Sequence, residues 1–180
     1  MIKYIALLRG INVAGKRKVL MADLKDLFAK LGFTNCITYI QSGNVVFELD
    51  KEEDNIELAH KIEAAILEHF KLDVPVIIRK AYEWEQLISD NPFFKNKRIS
   101  IDRQHLTLLD EEPKSDKVED LKKKDFGMDQ FEIIGQHVFL CCTNKYSETK
   151  MTNGLLEKKF NCKATTRNWK TVLKLLELSK

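Results

Sequence analysis

Apolar residues along the chain alternate between two spacings. From Ile2 to Arg9 both alternating faces are apolar, with Ile2, Tyr4, Ala6 and Leu8 on one and Ile5 and Leu7 on the other. That is the pattern of a strand covered on both sides. Met21 to Leu31 changes to helical spacing through Leu24, Leu27, Phe28 and Leu31, and Gly32 supplies the stop. Cys36 to Gln41 and Asn44 to Leu49 read as strands joined by a two-residue turn, Ser42-Gly43. After the acidic Asp50 to Asp54, Ile56, Ala59, Ile62, Ile66 and Phe70 mark one face of a helix. Val74 to Arg79 is a strand with Pro75 near its start. Tyr82, Trp84, Leu87 and Ile88 make a short helix that must end before Asn91-Pro92.

Near residue 95 the pattern restarts. Gln104 to Leu109 is a strand, Pro113 opens a helix through Val118 and Leu121, and Ser115 is its expected cap. Gln130 to Ile134 and His137 to Cys142 form a hairpin about Gly135-Gln136. Thr152 or Asn153 caps a helix through Leu155, Leu156 and Phe160. Lys163 to Thr166 is a short strand, and a final helix carries Trp169, Val172, Leu173 and Leu176. The order β-α-β-β-α-β thus occurs twice, with Trp84 and Trp169 each following the last strand of its half. The expected fold is α+β: two tandem ferredoxin-like halves packed together, residues 1–95 and 96–180.

Composition narrows the function classes. An apolar fraction of 44% with ten Phe excludes disorder. A net charge of +3 gives no reason to expect nucleic acid or a membrane surface as partner. No apolar run approaches the ~18 residues of a membrane helix. The N-terminus carries Lys3 and Arg9 without a small-residue cleavage site, so a cytoplasmic protein is expected. Cys36, Cys141, Cys142 and Cys162 match no zinc spacing and read as buried reduced thiols. His60, His69, His105 and His137 have no Cys or carboxylate at ligand spacing. Neither a metal nor a cofactor is expected.

Charge changes the picture only locally. After the first strand, Arg9 to Lys18 combines two glycines, Asn12 and four cations. In a split βαβ sheet, strand 3 lies between strands 1 and 2, so this loop meets the turn after strand 2 at one sheet edge. Arg9, Gly10, Asn12, Gly15 and Lys16 then face Gln41, Ser42 and Asn44. Amides around glycines can cradle an anion, and arginine can grip an oxyanion with two donors. Gly10 to Lys16 spells the P-loop spacing G-x-x-x-x-G-K, but Arg17 stands where Ser or Thr would hold magnesium, so no P-loop is inferred. A second polar cluster, Thr166, Arg167, Asn168 and Trp169, sits where a strand gives way to a helix N-terminus. The second half has Asp110-Glu111-Glu112 where the first has its cations.

The leading expectation is a pocket for a phosphate- or carboxylate-bearing small molecule. An RNA-binding module competes, because Tyr4 and Phe47 sit roughly where stacking aromatics belong. So does a non-catalytic interaction protein, with Asn91-Pro92-Phe93-Phe94 as its docking segment. No catalytic residue stands out.

Three blocks, Ala6-Leu7-Leu8-Arg9-Gly10-Ile11-Asn12-Val13, Thr38 to Phe47 and Ala164-Thr165-Thr166-Arg167-Asn168-Trp169, together resemble the bacterial domain-of-unknown-function family numbered 1697. Its relatives often carry a second glycine before the lysine, where this chain has Ala14. The resemblance implies the fold and a cytosolic bacterial origin, and supplies no catalytic residue.

Overall fold

The computed structural model describes residues 1–180. The first series is Ile2–Leu8 (β1), Met21–Lys30 (α1), Thr34–Tyr39 (β2), Asn44–Leu49 (β3), Asn55–Phe70 (α2) and Val76–Lys80 (β4), followed by Ala81–Asp90 (α3). The second is Gln104–Leu109 (β5), Ser115–Lys122 (α4), Gln130–Ile134 (β6), His137–Cys141 (β7), Asn153–Phe160 (α5) and Ala164–Asn168 (β8), followed by Trp169–Leu178 (α6). Each series forms its own antiparallel sheet, ordered β2-β3-β1-β4 and β6-β7-β5-β8. The β-α-β-β-α-β order therefore holds in both halves. The chain separates into two packing units, Met1–Glu85 with Lys174–Lys180, and Gln86–Leu173.

In the first unit one sheet face meets α1 and α2. Tyr4, Ala6, Leu8, Val45, Phe47 and Ile78 pack there against Leu24, Phe28, Leu58, Ile62 and Ile66. Phe47 stacks on Tyr4 and on Phe33, at 5.5 and 4.6 Å between centroids, so the strand aromatics form the centre of this core. The opposite face, with Ile5, Leu7, Val46 and Ile77, is buried as well, as the doubly apolar pattern requires.

Some local expectations are corrected and others made definite. The turn after β2 has four residues, Ile40 to Gly43, because Ile40 and Gly43 both adopt left-handed φ (48° and 77°). Helix α2 begins at Asn55, since the Asp54 carboxylate accepts from the amides of Ile56 and Glu57 at 2.8 and 3.1 Å. From that start Leu58 turns inward and Ile56 stays exposed. Ser115 is the first residue of α4, not its cap. Thr152, not Asn153, caps α5 by accepting from the Leu155 amide.

Backbone bonds align the two halves residue by residue. Leu8 donates to the Gly43 carbonyl at 2.8 Å and Leu109 to that of Gln136 at 2.9 Å. Arg9 donates to Pro75 and Asp110 to Lys163. Leu8 thus corresponds to Leu109 and Arg9 to Asp110. By the same register Tyr4, Ala6 and Ile78 correspond to His105, Thr107 and Thr166. These three apolar core positions of the first unit are polar in the second, where the two threonines bond to each other. The Thr166 hydroxyl donates to Asn153 Oδ1 at 2.6 Å and accepts from Tyr146 at 3.0 Å, with the Thr107 hydroxyl 2.6 Å away. His105 stacks on the Tyr146 ring, and its Nδ1 lies 3.3 Å from the Arg103 carbonyl.

Two outcomes follow from this packing. A Cβ at Gly43 would stand 2.7 Å from Leu8 Cβ and 2.8 Å from Ile11 Cδ1, at a φ of +77°, whereas one at Gly15 would meet nothing. Urea denaturation of Gly43→Ala should show a loss of about 2–4 kcal/mol from overpacking and backbone strain together. Gly15→Ala, strained only in its backbone, should lose about 1 kcal/mol; equal losses would contradict the contact. The second outcome concerns His105, whose burial holds its pKa below the ordinary imidazole value. Above pH ~6.5 both folded and unfolded His105 are neutral. As pH falls from there, the unfolded chain binds a proton that folded His105 refuses, so stability declines until the pH reaches the lowered folded value. His105→Gln should flatten this part of the pH–stability curve, and an unchanged slope would assign the decline to other groups.

Candidate functional site

The ten residues between β1 and the run-in to α1 form a miniature β-hairpin. Ala14 and Gly15 both have positive φ, 49° and 74°, as a type I′ turn requires. The Lys16 amide donates to the Val13 carbonyl at 2.9 Å across that turn, and the Asn12 amide to the Arg17 carbonyl at 3.1 Å one step outward. Glycine suits the turn. Ala14, together with Asn12 (55°) and Arg17 (50°), has a Cβ in the left-handed region, at a cost of about 1–2 kcal/mol per residue. Three such residues lie within six positions, and strain of this kind gathers where a backbone is shaped for a ligand.

The base of the hairpin is fixed from several sides. Asn12 Nδ2 donates to the carbonyls of Val19 and Gln41, both at 2.9 Å, and Asn12 Oδ1 accepts from the Val19 amide at 2.9 Å. Ile11 and Val19 are buried in the α1/α2 core beneath. Gly43 lies against Leu8 and Ile11, close enough that no side chain fits between them. The loop after β1 and the turn after β2 therefore meet, as their topology implies. Above this base Val13, Ala14, Gly15, Lys16, Arg17 and Lys18 are exposed.

The residues singled out from sequence divide by role. Asn12 is the clamp and Gln41 offers it a carbonyl. Asn44 is fully buried, and its amide donates to the Tyr39 carbonyl and to Ser42 Oγ, so it shapes the turn from within. Gly10 is exposed at a φ of +70°, and a Cβ there would stand 3.7 Å from Arg17 Nη1, so the guanidinium is folded back over the glycine. Arg9 is half-buried. Lys16, Arg17 and Lys18 form no ion pair. By contrast Lys122 and Lys123 are matched by Glu119 and Asp120.

At the corresponding place in the second unit, Asp110 is tied down. Its carboxylate accepts from the Lys163 amide at 2.7 Å, and its carbonyl from Gln136 Nε2 at 3.2 Å. One backbone frame thus carries an acidic loop in one half and a basic one in the other, so the fold does not demand cations at Lys16 to Lys18.

The second sequence cluster belongs to the second unit. β8 extends through Asn168, two residues beyond the expected end at Thr166, so Arg167 lies within the strand as Thr166 does, as the bonding of β8 to β5 dictates. Thr166 completes the hydroxyl network described above. Asn168 caps α6 by accepting from the Thr171 amide at 2.8 Å. Trp169 is fully buried against Phe139 and Phe94. Arg167 is also buried, and its Nη1 donates to Thr165 Oγ1 and to the Thr166 carbonyl, both at 2.9 Å. Burial pulls its pKa down to about 10.

Sequence reasoning passed over Arg79, the positional counterpart of Arg167. It too is buried and donates from Nη1 to the preceding carbonyl, that of Ile78, at 2.8 Å. A lone arginine closing the apolar run Val76-Ile77-Ile78 was the available signal. A cleft of about 250 Å³ in the second unit was also invisible in the sequence; Asp129, Thr143, Lys145, Glu148 and Lys150 line it. Its Asp129 carboxylate is already engaged by the Thr143 amide and the Thr149 hydroxyl.

A protein-family model described as "Protein of unknown function (DUF1697)" matches residues 1–139. No curated protein matches the chain. Among solved structures the chain is similar to the conserved bacterial protein SP0830 from Streptococcus pneumoniae. The two share 25% identity with a TM-score of 0.79, over 99% of this chain and 99% of that one.

Proposed function

Because the chain belongs to the DUF1697 family, whose description names no activity, we propose a function from its own geometry: the hairpin after β1 binds an anionic small molecule bearing phosphate or carboxylate. The observation that supports this is the set of three exposed cations without ion pairs, Lys16, Arg17 and Lys18, on a clamped and strained backbone. Solvated lysines added for solubility need neither a clamp nor left-handed residues. The cost of holding Ala14 and Arg17 left-handed is offset if the fixed loop meets a ligand without further ordering. Arg9, Gly10, Gly15 and the Gln41-Ser42 edge supply the surroundings, and Thr166 to Trp169 lie in the other unit. In this reading the protein is a bacterial cytoplasmic one; no helix of the chain is long and apolar enough to cross a membrane.

Two competing readings have less behind them. Tyr4 and Phe47 are fully buried on the helix side of their sheet and stacked on each other, so they offer no face to an RNA base. Phe93 is buried and Phe94 lies 5.5 Å from Trp169 within its own unit, so the Asn91 to Phe94 segment has a partner already.

Thermal unfolding at low salt tests the proposal with phosphate, nucleotides, citrate and acetate. A ligand at ten times its Kd adds about 1.4 kcal/mol, which should raise Tm by roughly 3–5 °C in a chain of this size. The rise should vanish in Lys16→Ala/Arg17→Ala and persist in Lys123→Ala/Lys124→Ala, which removes the same charge from the other unit. No rise with any anion, or an equal rise in both double variants, would refute it.

A further inference from the structure

The arrangement of the hairpin cations points to a narrower ligand class, and this step rests on the anion-binding reading above. We infer that the hairpin takes a molecule bearing two linked phosphates, a diphosphate ester or free pyrophosphate. Lys16, Arg17 and Lys18 are consecutive, exposed and without ion pairs. Consecutive Cα atoms stand about 3.8 Å apart, so the backbone that carries the three charges is shorter than the ~10 Å Debye length of ordinary buffers, and a single small ligand can meet them together. A lone carboxylate would neutralise one of the three and leave two repelling each other. A diphosphate spreads its charge over two centres and can engage all three.

The chemistry of the three side chains differs in the same sense. Arg17 presents a planar fork that suits two oxygens on one phosphorus. That guanidinium is turned back over Gly10, where a Cβ would come within 3.7 Å of Nη1. Gly10 is exposed and left-handed, so the backbone beside the fork is open to a bulky tetrahedral group. Lys16 and Lys18 flank it in sequence as point charges that impose no geometry, as a second phosphate needs. The type I′ turn and the Asn12 clamp fix the backbone that carries all three, so little ordering remains for the ligand to bring about. A polynucleotide fits less well. Duplex-binding proteins neutralise about 6–10 phosphates, whereas this hairpin offers three adjacent unpaired cations.

Isothermal titration of the full-length protein decides the matter, at fixed ionic strength and without divalent metals. The probes are inorganic pyrophosphate, orthophosphate and citrate, the last matching the charge of pyrophosphate on a carbon skeleton. Pyrophosphate should bind at least tenfold more tightly than either of the others. Arg17→Lys, which keeps the charge and loses the fork, should weaken pyrophosphate about tenfold, with the same urea midpoint as the parent. Equal affinity for citrate and pyrophosphate, or no effect of Arg17→Lys, overturns the diphosphate inference and leaves anion binding standing. A single-stranded RNA oligonucleotide binding more tightly than pyrophosphate also overturns it. Silence with all three anions overturns both.

Discussion

The first unit depends on one close approach, the seating of Gly43 against Leu8 and Ile11. The contact is possible only because residue 43 lacks a Cβ and tolerates positive φ. It holds the turn after β2 against the end of β1, where the Leu8 amide can reach the Gly43 carbonyl. With those two backbones in contact Gln41 lies within reach of Asn12, and the chain leaving β1 rises as a narrow hairpin. Left-handed residues at 12, 14, 15 and 17 shape that hairpin. The packing contact anchors its base, and the exposed cations stand above it.

Much of the architecture was legible because the apolar spacing changes cleanly from two to near four. The bounds of β3, β5 and β6 agree with the reading from sequence, and the β-α-β-β-α-β order holds in both halves. What escaped was conformational. Ile40, Ala14 and Arg17 adopt left-handed φ, which their side chains do not advertise, so a four-residue turn read as two and a hairpin read as an irregular loop. Along α2 Ala59, Ile62 and Ile66 are buried as read and Leu58 joins them, while Ile56, in the first turn beside the Asp54 cap, stays exposed. At the candidate site, residue types were readable and their roles were not. Asn12 and Asn44 looked like ligand-facing amides, yet Asn12 bonds to backbone groups and Asn44 to the Tyr39 carbonyl and Ser42 Oγ within its own turn. Backbone acceptors carry no signature in a side-chain sequence.

The internal duplication serves as a control within one molecule. The same frame accepts Tyr4, Ala6 and Ile78 at one set of positions and His105, Thr107 and Thr166 at the corresponding set. It accepts arginine after one first strand and aspartate after the other. Properties shared by both halves belong to the frame; properties found in one half need another explanation. By that criterion the hairpin cations and the hydroxyl network of the second unit are particular features, and the strand order and strand-end bonds are general ones.

Arg79 and Arg167 are shared. Each is the last residue but one of the same strand of its half, is buried, and turns one nitrogen onto the carbonyl just before it. A guanidinium keeps its proton even at the lowered value of Arg167, so each sheet holds a permanent charge away from water. The same buried cation recurs at the same place in both halves, so the frame provides for a charge there whatever the rest of each half carries. Removing one member of a buried charged arrangement leaves its partners uncompensated, so designs on this frame should keep the two arginines fixed and vary the positions around them.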